Sequence, residues 1–215
     1  MNRNSRLSAN EQEKDENSFD QTYWDQRYQN NEIGWDLNQV SPPLKQYIEQ
    51  CTNKDLRILI PGAGNAHEAS YLLEQGFNDV TIVDIAPTVV DRLQKQFQNN
   101  PHIQIILGDF FTLSGKYDLI LEQTFFCALS PFLRPQYVAK MYDLLHTNGK
   151  LVGLLFDKEF EGGPPFGGKK EAYEKLFQRH FNFHTFDSCY NSVGPRMNAE
   201  LFFIFIKKDS VTVGA

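Results

Sequence analysis

A short apolar run that ends in a glycine turn constrains the fold of this chain more than any other feature. Residues 58–60 are Ile-Leu-Ile, and Pro61 leads from them to Gly62 and Gly64. Because glycine has no Cβ, the backbone can turn sharply at these positions and approach a ligand closely. A buried strand followed by such a turn is typical of the first unit of an open α/β sheet that binds a nucleoside cofactor.

Two aspartates follow the next two apolar runs. Asp84 ends the run 80–83, and Asp109 comes just after the run 103–107. Since the carboxyl ends of parallel strands meet at one edge of a sheet, the glycine turn and both aspartates are expected to lie side by side. Asp84 stands about 20 residues beyond the glycines, the spacing at which a carboxylate accepts hydrogen bonds from ribose hydroxyls. Asp109 can accept from an exocyclic amine, and Phe110 supplies an apolar wall and a backbone donor.

The residues after the turn distinguish two classes of cofactor. A dinucleotide-binding turn has a third Gly or Ala three residues after the second Gly, so that the helix packs closely on the strand and faces a pyrophosphate. This chain has His67 at that position. The turn 62–67 instead resembles the first motif of class I S-adenosylmethionine-dependent methyltransferases, whose cofactor has no pyrophosphate. Two alternatives stay open, an NAD(P)-dependent oxidoreductase of the Rossmann type and a non-catalytic protein that binds S-adenosylmethionine.

Composition favours a protein that acts on a small molecule. A net charge of −6 argues against a nucleic-acid-binding surface. No run approaches the roughly 18 apolar residues of a membrane-spanning helix, and the first residues lack the apolar core of a signal peptide. The three cysteines form no metal-binding pattern. We therefore expect a cytoplasmic protein without a metal, a nucleic acid or a membrane partner, present as a monomer or a weak homodimer.

Motifs on both sides of the glycine turn resemble one methyltransferase superfamily. They are Trp24-Asp25-Gln26-Arg27-Tyr28, Gly34-Trp35-Asp36, Ser41-Pro42-Pro43-Leu44, residues 122–129, Arg134-Pro135 and residues 162–166. Together they are similar to the thiopurine S-methyltransferase superfamily, particularly its thiol, thiocyanate and halide methyltransferase branch, over residues 20–206. The resemblance implies S-adenosylmethionine as cofactor and S-adenosylhomocysteine as its product. It also implies a small-molecule nucleophile as the acceptor, methylated by in-line displacement.

The expected fold is a single α/β domain of the Rossmann-like class I methyltransferase type, with a seven-stranded mixed sheet, an antiparallel last strand and helices on both faces. Strands are predicted near 56–61, 79–84, 102–107, 117–122, 150–156, 181–188 and 199–207, and helices near 66–75, 87–98, 134–145 and 169–179. A further helix is expected to open at Pro43, because proline suits the first turn. Gly76 and Gly149 are expected to occupy helix exits or turns.

Three segments are predicted along the chain. Residues 1–17 are polar and are expected to form a disordered tail, because they bury too little apolar surface to fold. Residues 18–208 are expected to form the methyltransferase domain, in which 18–50 folds over the sheet edge as a lid. Residues 209–215 are the predicted C-terminal tail.

The resemblance and the turn together predict the cofactor-binding residues. They are Trp24, Tyr28, Trp35, Gly62, Gly64, Asp84, Asp109, Phe110 and Gln123. Aromatic faces suit a sulfonium cation, which the ring quadrupole attracts by roughly 0.5–2 kcal/mol per contact. Other interpretations stay open: the tryptophans as core residues, the first aspartate as a helix cap and the second as a turn residue.

Three residues are predicted to take a direct part in catalysis. Glu122 and Asp157 are candidates for the base that a neutral thiol acceptor would need, although Glu122 is equally a hydrogen-bonded wall residue. The resemblance places Phe156 where many relatives carry a substrate-facing Tyr, so this chain lacks the hydroxyl at that position. A more apolar pocket favours weakly hydrated nucleophiles such as iodide and thiocyanate. Cys127 lies in an apolar run, which favours a buried thiol over a nucleophile.

Overall fold

The computed structural model describes residues 19–209. The predicted tails, apart from Asp209, therefore lie outside the described residues. None of the helices within 19–209 combines the length and the apolar character that crossing a membrane requires.

Seven strands form one sheet across the described chain. They are β1 (Arg57–Pro61), β2 (Asp79–Asp84), β3 (Ile103–Leu107), β4 (Tyr117–Glu122), β5 (Leu145–Phe156), β6 (Phe181–Ser188) and β7 (Glu200–Lys207). The order in the sheet is β3-β2-β1-β4-β5-β7-β6. The first five strands run parallel, and β7 lies antiparallel between β5 and β6. The expected mixed sheet with an antiparallel last strand is confirmed.

Six α-helices connect and cover the strands in the same range. They are α1 (Gln21–Gln29), α2 (Pro42–Glu49), α3 (His67–Glu74), α4 (Pro87–Gln96), α5 (Arg134–Leu144) and α6 (Lys170–Phe177). Helices α2, α4 and α5 each have proline in the first turn, where its missing N–H leaves no hydrogen bond unmade. Short 3₁₀ helices occur at Phe110–Thr112, Phe126–Ala128, Pro131–Leu133 and Gly194–Arg196.

The core lies on both faces of the sheet. Along β1, Leu59 belongs to one buried cluster, whereas Ile58 and Ile60 belong to the other. Alternate strand residues point to opposite faces, so this division is what a sheet covered on both sides requires. The cluster that contains Leu59 is rich in aromatic side chains such as Phe126, Tyr137 and Phe177.

Strand β5 begins earlier than the sequence predicts. Its first residue is Leu145, which pairs with Tyr117, and the register then shifts so that Lys150 pairs with Leu119. Asn148 adopts the left-handed conformation at this irregularity, with φ of 61°. Asparagine tolerates that conformation better than most residues. The prediction that Gly149 occupies a helix exit or a turn is therefore wrong, because Gly149 lies inside β5.

Two other predictions concern helix ends. Gly76 follows α3 with φ of 85°, as expected for a glycine at a helix exit. Helix α1 was not predicted from the sequence. It begins because the Asp20 carboxylate accepts a 2.9 Å hydrogen bond from the Tyr23 amide. None of its residues is fully buried, so the apolar periodicity that identifies a core-facing helix is absent.

Candidate active site

The glycine turn after β1 needs residues without a Cβ. Gly62 and Gly64 have φ of 59° and 53°, in the left-handed region that glycine adopts without strain. A Cβ on Gly62 would lie 2.3 Å from Cδ2 of Phe125, and a Cβ on Gly64 would lie 2.9 Å from the Tyr28 hydroxyl. The turn is therefore packed against the loop after β4 on one side and against α1 on the other.

Asp84 joins the end of β2 to this turn. Its carboxylate accepts 2.9 Å hydrogen bonds from the Gly64 amide and from the Ala86 amide, and the side chain is almost fully buried. Burial raises the pKa of Asp84, and the backbone amides act in the opposite direction. Helix α4 has no side-chain cap, so Asp84 is not its N-cap. Each carboxylate oxygen retains acceptor capacity for a ribose hydroxyl.

Asp109 has a structural contact as well as a position at the cavity. Its carboxylate accepts a 2.9 Å hydrogen bond from the Phe111 amide and begins the 3₁₀ helix at Phe110. Asp109 is thus a turn residue, one of the two interpretations that the sequence leaves open. It also borders the cavity beside Phe110, whose ring is buried.

A cavity of about 670 Å³ lies at the carboxyl ends of the parallel strands. Every predicted cofactor residue borders it: Trp24, Tyr28, Trp35, Gly62, Gly64, Asp84, Asp109, Phe110 and Gln123. Phe156 also belongs to the lining. The long-range folding of the chain therefore brings ten of the twelve predicted site residues to one cavity.

Residues 19–41, here called the N-terminal segment, lie across this sheet edge. Nε2 of the Gln21 side chain donates to the Ile85 carbonyl at 3.0 Å, and the Thr88 backbone amide donates to the Asp25 carboxylate at 2.7 Å. The Trp35 ring meets the rings of Trp24 and Tyr28 edge to face, with centroids 5.5 and 5.6 Å apart. These three half-buried aromatic side chains form one wall of the cavity.

The sequence did not predict a role for Asp36, although this residue belongs to the motif 34–36. Its carboxylate accepts a hydrogen bond from the Asn65 side chain and lies 2.7 Å from Nε2 of His67. The Ser41 amide adds a 3.0 Å hydrogen bond to Glu68. The N-terminal segment is therefore held directly on the glycine turn and on the first turn of α3.

Glu122 lies outside the cavity lining. The side chain is completely buried, and its carboxylate accepts hydrogen bonds from the amides of Phe125 and Phe126 and from the Tyr137 hydroxyl, at 2.8, 3.0 and 2.5 Å. Burial raises the pKa of Glu122 to about 7. This is the geometry of a hydrogen-bonded wall residue that fixes the loop carrying Gln123. Nothing in it supports a direct contact with an acceptor.

Asp157 also lies outside the lining. Its carboxylate accepts a 3.1 Å hydrogen bond from the Lys170 amide at the start of α6, and its own amide donates to the Ala199 carbonyl at 2.9 Å. An aspartate at the beginning of a helix stabilises exposed N–H groups. The geometry thus gives Asp157 a helix-capping contact, and the catalytic role stays a prediction without a contact to the cavity.

One end of the cavity is apolar and aromatic. Phe156 meets Phe160 edge to face at 5.1 Å, and Pro164 and Pro165 border the same space. Arg134 donates to the carbonyls of Phe166 and Gly167 and so holds this loop to α5. These residues give this end of the lining an aromatic surface, and Lys158 and Arg196 border the cavity beside it.

Cys127 borders the cavity, but its thiol is not activated. Burial and the nearby Glu122 charge raise the pKa of Cys127 to about 12. The sulfur donates to the Thr124 carbonyl at 3.2 Å. A protonated thiol is a poor nucleophile, which favours the buried-thiol interpretation. Within residues 19–209 no group of three His, Cys, Asp or Glu side chains is arranged to hold a metal ion.

The cavity fits a sulfonium-containing nucleoside. Gln123 borders the cavity, and its Oε1 is buried without a hydrogen-bond partner among the described residues. The glycine turn borders the same space, Asp84 offers its carboxylate, and the aromatic wall suits a cation. Together these groups can hold S-adenosylmethionine.

Comparison with known proteins agrees with this geometry. The family model described as thiopurine S-methyltransferase (TPMT) matches residues 19–203. A probable thiol methyltransferase 2 of Arabidopsis thaliana is 32% identical over 184 residues, which cover 82% of this chain and 81% of the relative. Thiocyanate methyltransferase 1 of Brassica oleracea is 26% identical over 159 residues, which cover 71% of this chain and 70% of the relative.

A solved structure has the same fold. It is the Burkholderia thailandensis 1,6-didemethyltoxoflavin-N1-methyltransferase with bound 1,6-didemethyltoxoflavin and S-adenosylhomocysteine. The TM-score is 0.74 at 18% identity, over 96% of this chain and 93% of the other. Fold and site thus define a class I methyltransferase that depends on S-adenosylmethionine. Within that class, the chain belongs to the thiopurine S-methyltransferase family.

Proposed function

We propose that this enzyme transfers a methyl group to a small, soft nucleophile, either a thiol, thiocyanate, hydrosulfide or a halide. The observation that carries the proposal is the apolar end of the cavity, where Phe156 and Phe160 face the space without a hydroxyl. The carboxylates of Glu122 and Asp157 are engaged elsewhere. Iodide, thiocyanate and hydrosulfide need no proton removal, so they suit a pocket without a base.

The residues of the site divide into those that bind and those that exclude water. Asp84 accepts from the ribose, Asp109 and Phe110 contact the base, and Trp24, Tyr28 and Trp35 enclose the sulfonium. When bound, S-adenosylmethionine supplies a methyl carbon on a positively charged sulfur, an activated leaving group. The protein then mainly has to align the nucleophile with the carbon and sulfur and to keep water out.

Glu122 has a positioning role in this proposal. It holds the amides of Phe125 and Phe126, and the ring of Phe125 packs against Gly62. The Glu122 carboxylate therefore fixes the wall that the glycine turn rests on and touches neither the acceptor nor the cofactor.

Two relatives support the acceptor class. The names of the Arabidopsis thaliana and Brassica oleracea proteins specify a thiol and thiocyanate, respectively. Both acceptors are soft sulfur nucleophiles, and an aromatic, poorly hydrated pocket suits such groups better than hard oxygen nucleophiles. The missing hydroxyl at Phe156 favours the weakly hydrated members of the class.

A release assay for S-adenosylhomocysteine tests the proposal. The purified protein is incubated with S-adenosylmethionine and, separately, thiocyanate, iodide, bromide, hydrosulfide, an aliphatic thiol, an aryl thiol, an amine and a phenol. With the sulfur and halide nucleophiles, the turnover of the wild-type protein is expected to exceed that of the Asp84→Ala variant. Turnover with only the amine or the phenol, or with no member of the panel, would contradict it.

A further inference from the structure

Helix α1 carries a cation that borders the cavity. The guanidinium carbon of Arg27 lies 5.3 Å from the centroid of the Trp35 ring and 5.6 Å from that of Tyr23. Nη1 donates to the Tyr23 hydroxyl at 3.2 Å. Nε is buried and has no hydrogen-bond partner among the described residues. One of the donors of this side chain is therefore left unsatisfied.

The charge of Arg27 is also unpaired by any described carboxylate. The ion pairs found within residues 19–209 involve Arg57, His67, Lys170 and Arg196. Arg196 makes the contrast clear, since it borders the same cavity, pairs with Glu200 at 3.4 Å and donates to the Trp35 carbonyl at 2.6 Å. A buried donor on a cation costs free energy when it has no acceptor.

We infer that Arg27 binds an anion inside the cavity. The inference rests on the proposed function, which supplies two anions of suitable size: the carboxylate at the amino-acid end of the cofactor, and an anionic acceptor such as thiocyanate or iodide. A guanidinium offers a planar set of N–H donors that matches a carboxylate and also attracts soft anions. The anion accepts from the guanidinium and offsets the charge that lies against Trp35.

Two variants at position 27 separate the effect of the positive charge from that of the planar set of donors. Arg27→Gln removes the charge, and Arg27→Lys keeps it without the planar set of donors. Arg57→Gln is the matched control, because the Arg57 side chain is half-exposed at the first residue of β1, outside the cavity lining. Melting temperatures of all three variants establish that the fold is retained.

The first arm measures binding by calorimetry. S-adenosylhomocysteine is compared with 5′-methylthioadenosine, which lacks the amino-acid carboxylate. If Arg27 binds that carboxylate, Arg27→Gln lowers the affinity for S-adenosylhomocysteine by tenfold or more and leaves the affinity for 5′-methylthioadenosine unchanged. Arg27→Lys then loses less affinity than Arg27→Gln. The second arm measures KM for thiocyanate and for a neutral thiol. If the anion is the acceptor, only the KM for thiocyanate rises.

Each outcome decides the inference. A loss confined to the carboxylate-bearing ligand or to the anionic acceptor supports it and identifies the source of the anion. No change in either arm overturns it, and so does an equal loss for all ligands, since that indicates a purely structural role. If the wild-type protein turns over no nucleophile, the proposed function fails, and the binding arm still decides whether Arg27 holds a carboxylate.

Discussion

The hydroxyl of Tyr137 donates a 2.5 Å hydrogen bond to Oε2 of Glu122, and neither side chain is exposed to solvent. The other carboxylate oxygen accepts from the amides of Phe125 and Phe126. The end of β4 is thereby tied to α5 and to the loop that carries one wall of the cavity. A buried acceptor set of this kind is costly to break, because each donor left without a partner loses its hydrogen bond and gains no water.

Glu122→Gln and Tyr137→Phe should therefore both lower stability. The amide of glutamine cannot accept at both of its positions, so one donor is left unsatisfied, at a cost of about 1–3 kcal/mol. Tyr137→Phe removes one donor and leaves Oε2 of Glu122 as a buried acceptor without a partner, at a similar cost of about 1–3 kcal/mol. Urea denaturation of both variants measures the two losses. The positioning role of Glu122 would be contradicted by a Glu122→Gln protein that is fully stable but inactive.

A comparison of wild type with Glu122→Gln also tests how stability depends on pH. The pKa of Glu122 is raised in the folded state to about 7, above its usual value of 4.5. The folded protein thus holds a proton that the unfolded chain has released, and the contribution of Glu122 to stability falls as pH rises from about 4.5 to about 7. Wild type should lose more stability than Glu122→Gln across that window. Parallel stability curves for the two proteins would show that Glu122 does not titrate there.

Asp84→Asn should weaken cofactor binding without preventing folding. The amide keeps the shape of the carboxylate but can accept at only one position, so the ribose loses a charge-assisted hydrogen bond of about 1.5–3 kcal/mol. The amide of Gly64 or of Ala86 also loses its acceptor, so a smaller loss of stability should accompany the loss of affinity. The expected result is a loss of tenfold or more in the affinity for S-adenosylhomocysteine, measured by calorimetry. Asp91→Asn, an exposed carboxylate on α4, is the control and should bind normally. Unchanged binding in Asp84→Asn would rule out the predicted ribose contact.

Asp36→Ala should loosen the N-terminal segment. Asp36 follows Trp35 directly in the chain. The substitution removes the acceptor for the Asn65 side chain and the contact with His67. The chain has two tryptophans, Trp24 and Trp35, and both lie in this segment. Tryptophan emission should therefore shift to longer wavelength, and S-adenosylhomocysteine should bind several-fold more weakly.

A companion variant is Asp25→Ala, which breaks another contact of the segment, with the Thr88 amide. The double variant should show a larger shift than either single change. An emission spectrum identical to that of wild type in Asp36→Ala would mean that this contact does not hold the segment in place.

Gly64→Ala should destabilise the protein, whereas Gly34→Ala should not. Alanine at position 64 would have φ of 53° and a Cβ 2.9 Å from the Tyr28 hydroxyl, and the left-handed backbone alone costs about 1–2 kcal/mol. A Cβ on Gly34 would point into open space, with no contact within 4 Å, and the backbone there has no positive φ. Denaturant titration measures both. Equal effects from the two substitutions would show that the turn tolerates a side chain.

Phe156→Tyr should change the relative rates among acceptors. Its hydroxyl adds a polar group to the aromatic end of the cavity, so the rates with thiocyanate and iodide should fall relative to that with an aryl thiol. Phe183→Tyr, on the half-exposed surface of β6, is the matched control. If the three rates keep their ratios in Phe156→Tyr, the apolar character of this position does not select the acceptor.

Local patterns were sufficient for the framework of this protein. The strands, the glycine turn at Gly62 and Gly64, and the aspartates that follow the next two strands are short-range features, and parallel strands bring their carboxyl ends together by geometry. The motif around Trp24 and Trp35 identified residues that border the cavity through its resemblance to the methyltransferase superfamily. The strands and the turn depend on backbone conformation and apolar spacing, which neighbouring residues largely decide.

Contacts between distant side chains could not be read in this way. Helix α1 lacks the apolar periodicity of a core-facing helix because its aromatic residues are only half-buried, and Gly149, where a turn was expected, lies inside β5. The packing of α5 gave Glu122 its contact with Tyr137, and the packing of α6 gave Asp157 its contact with the Lys170 amide. The sequence alone therefore determined the fold class and the residues around the cofactor cavity. The tertiary structure decided which carboxylates are engaged and left Arg27 without one, because those outcomes depend on the positions of groups far apart in the chain.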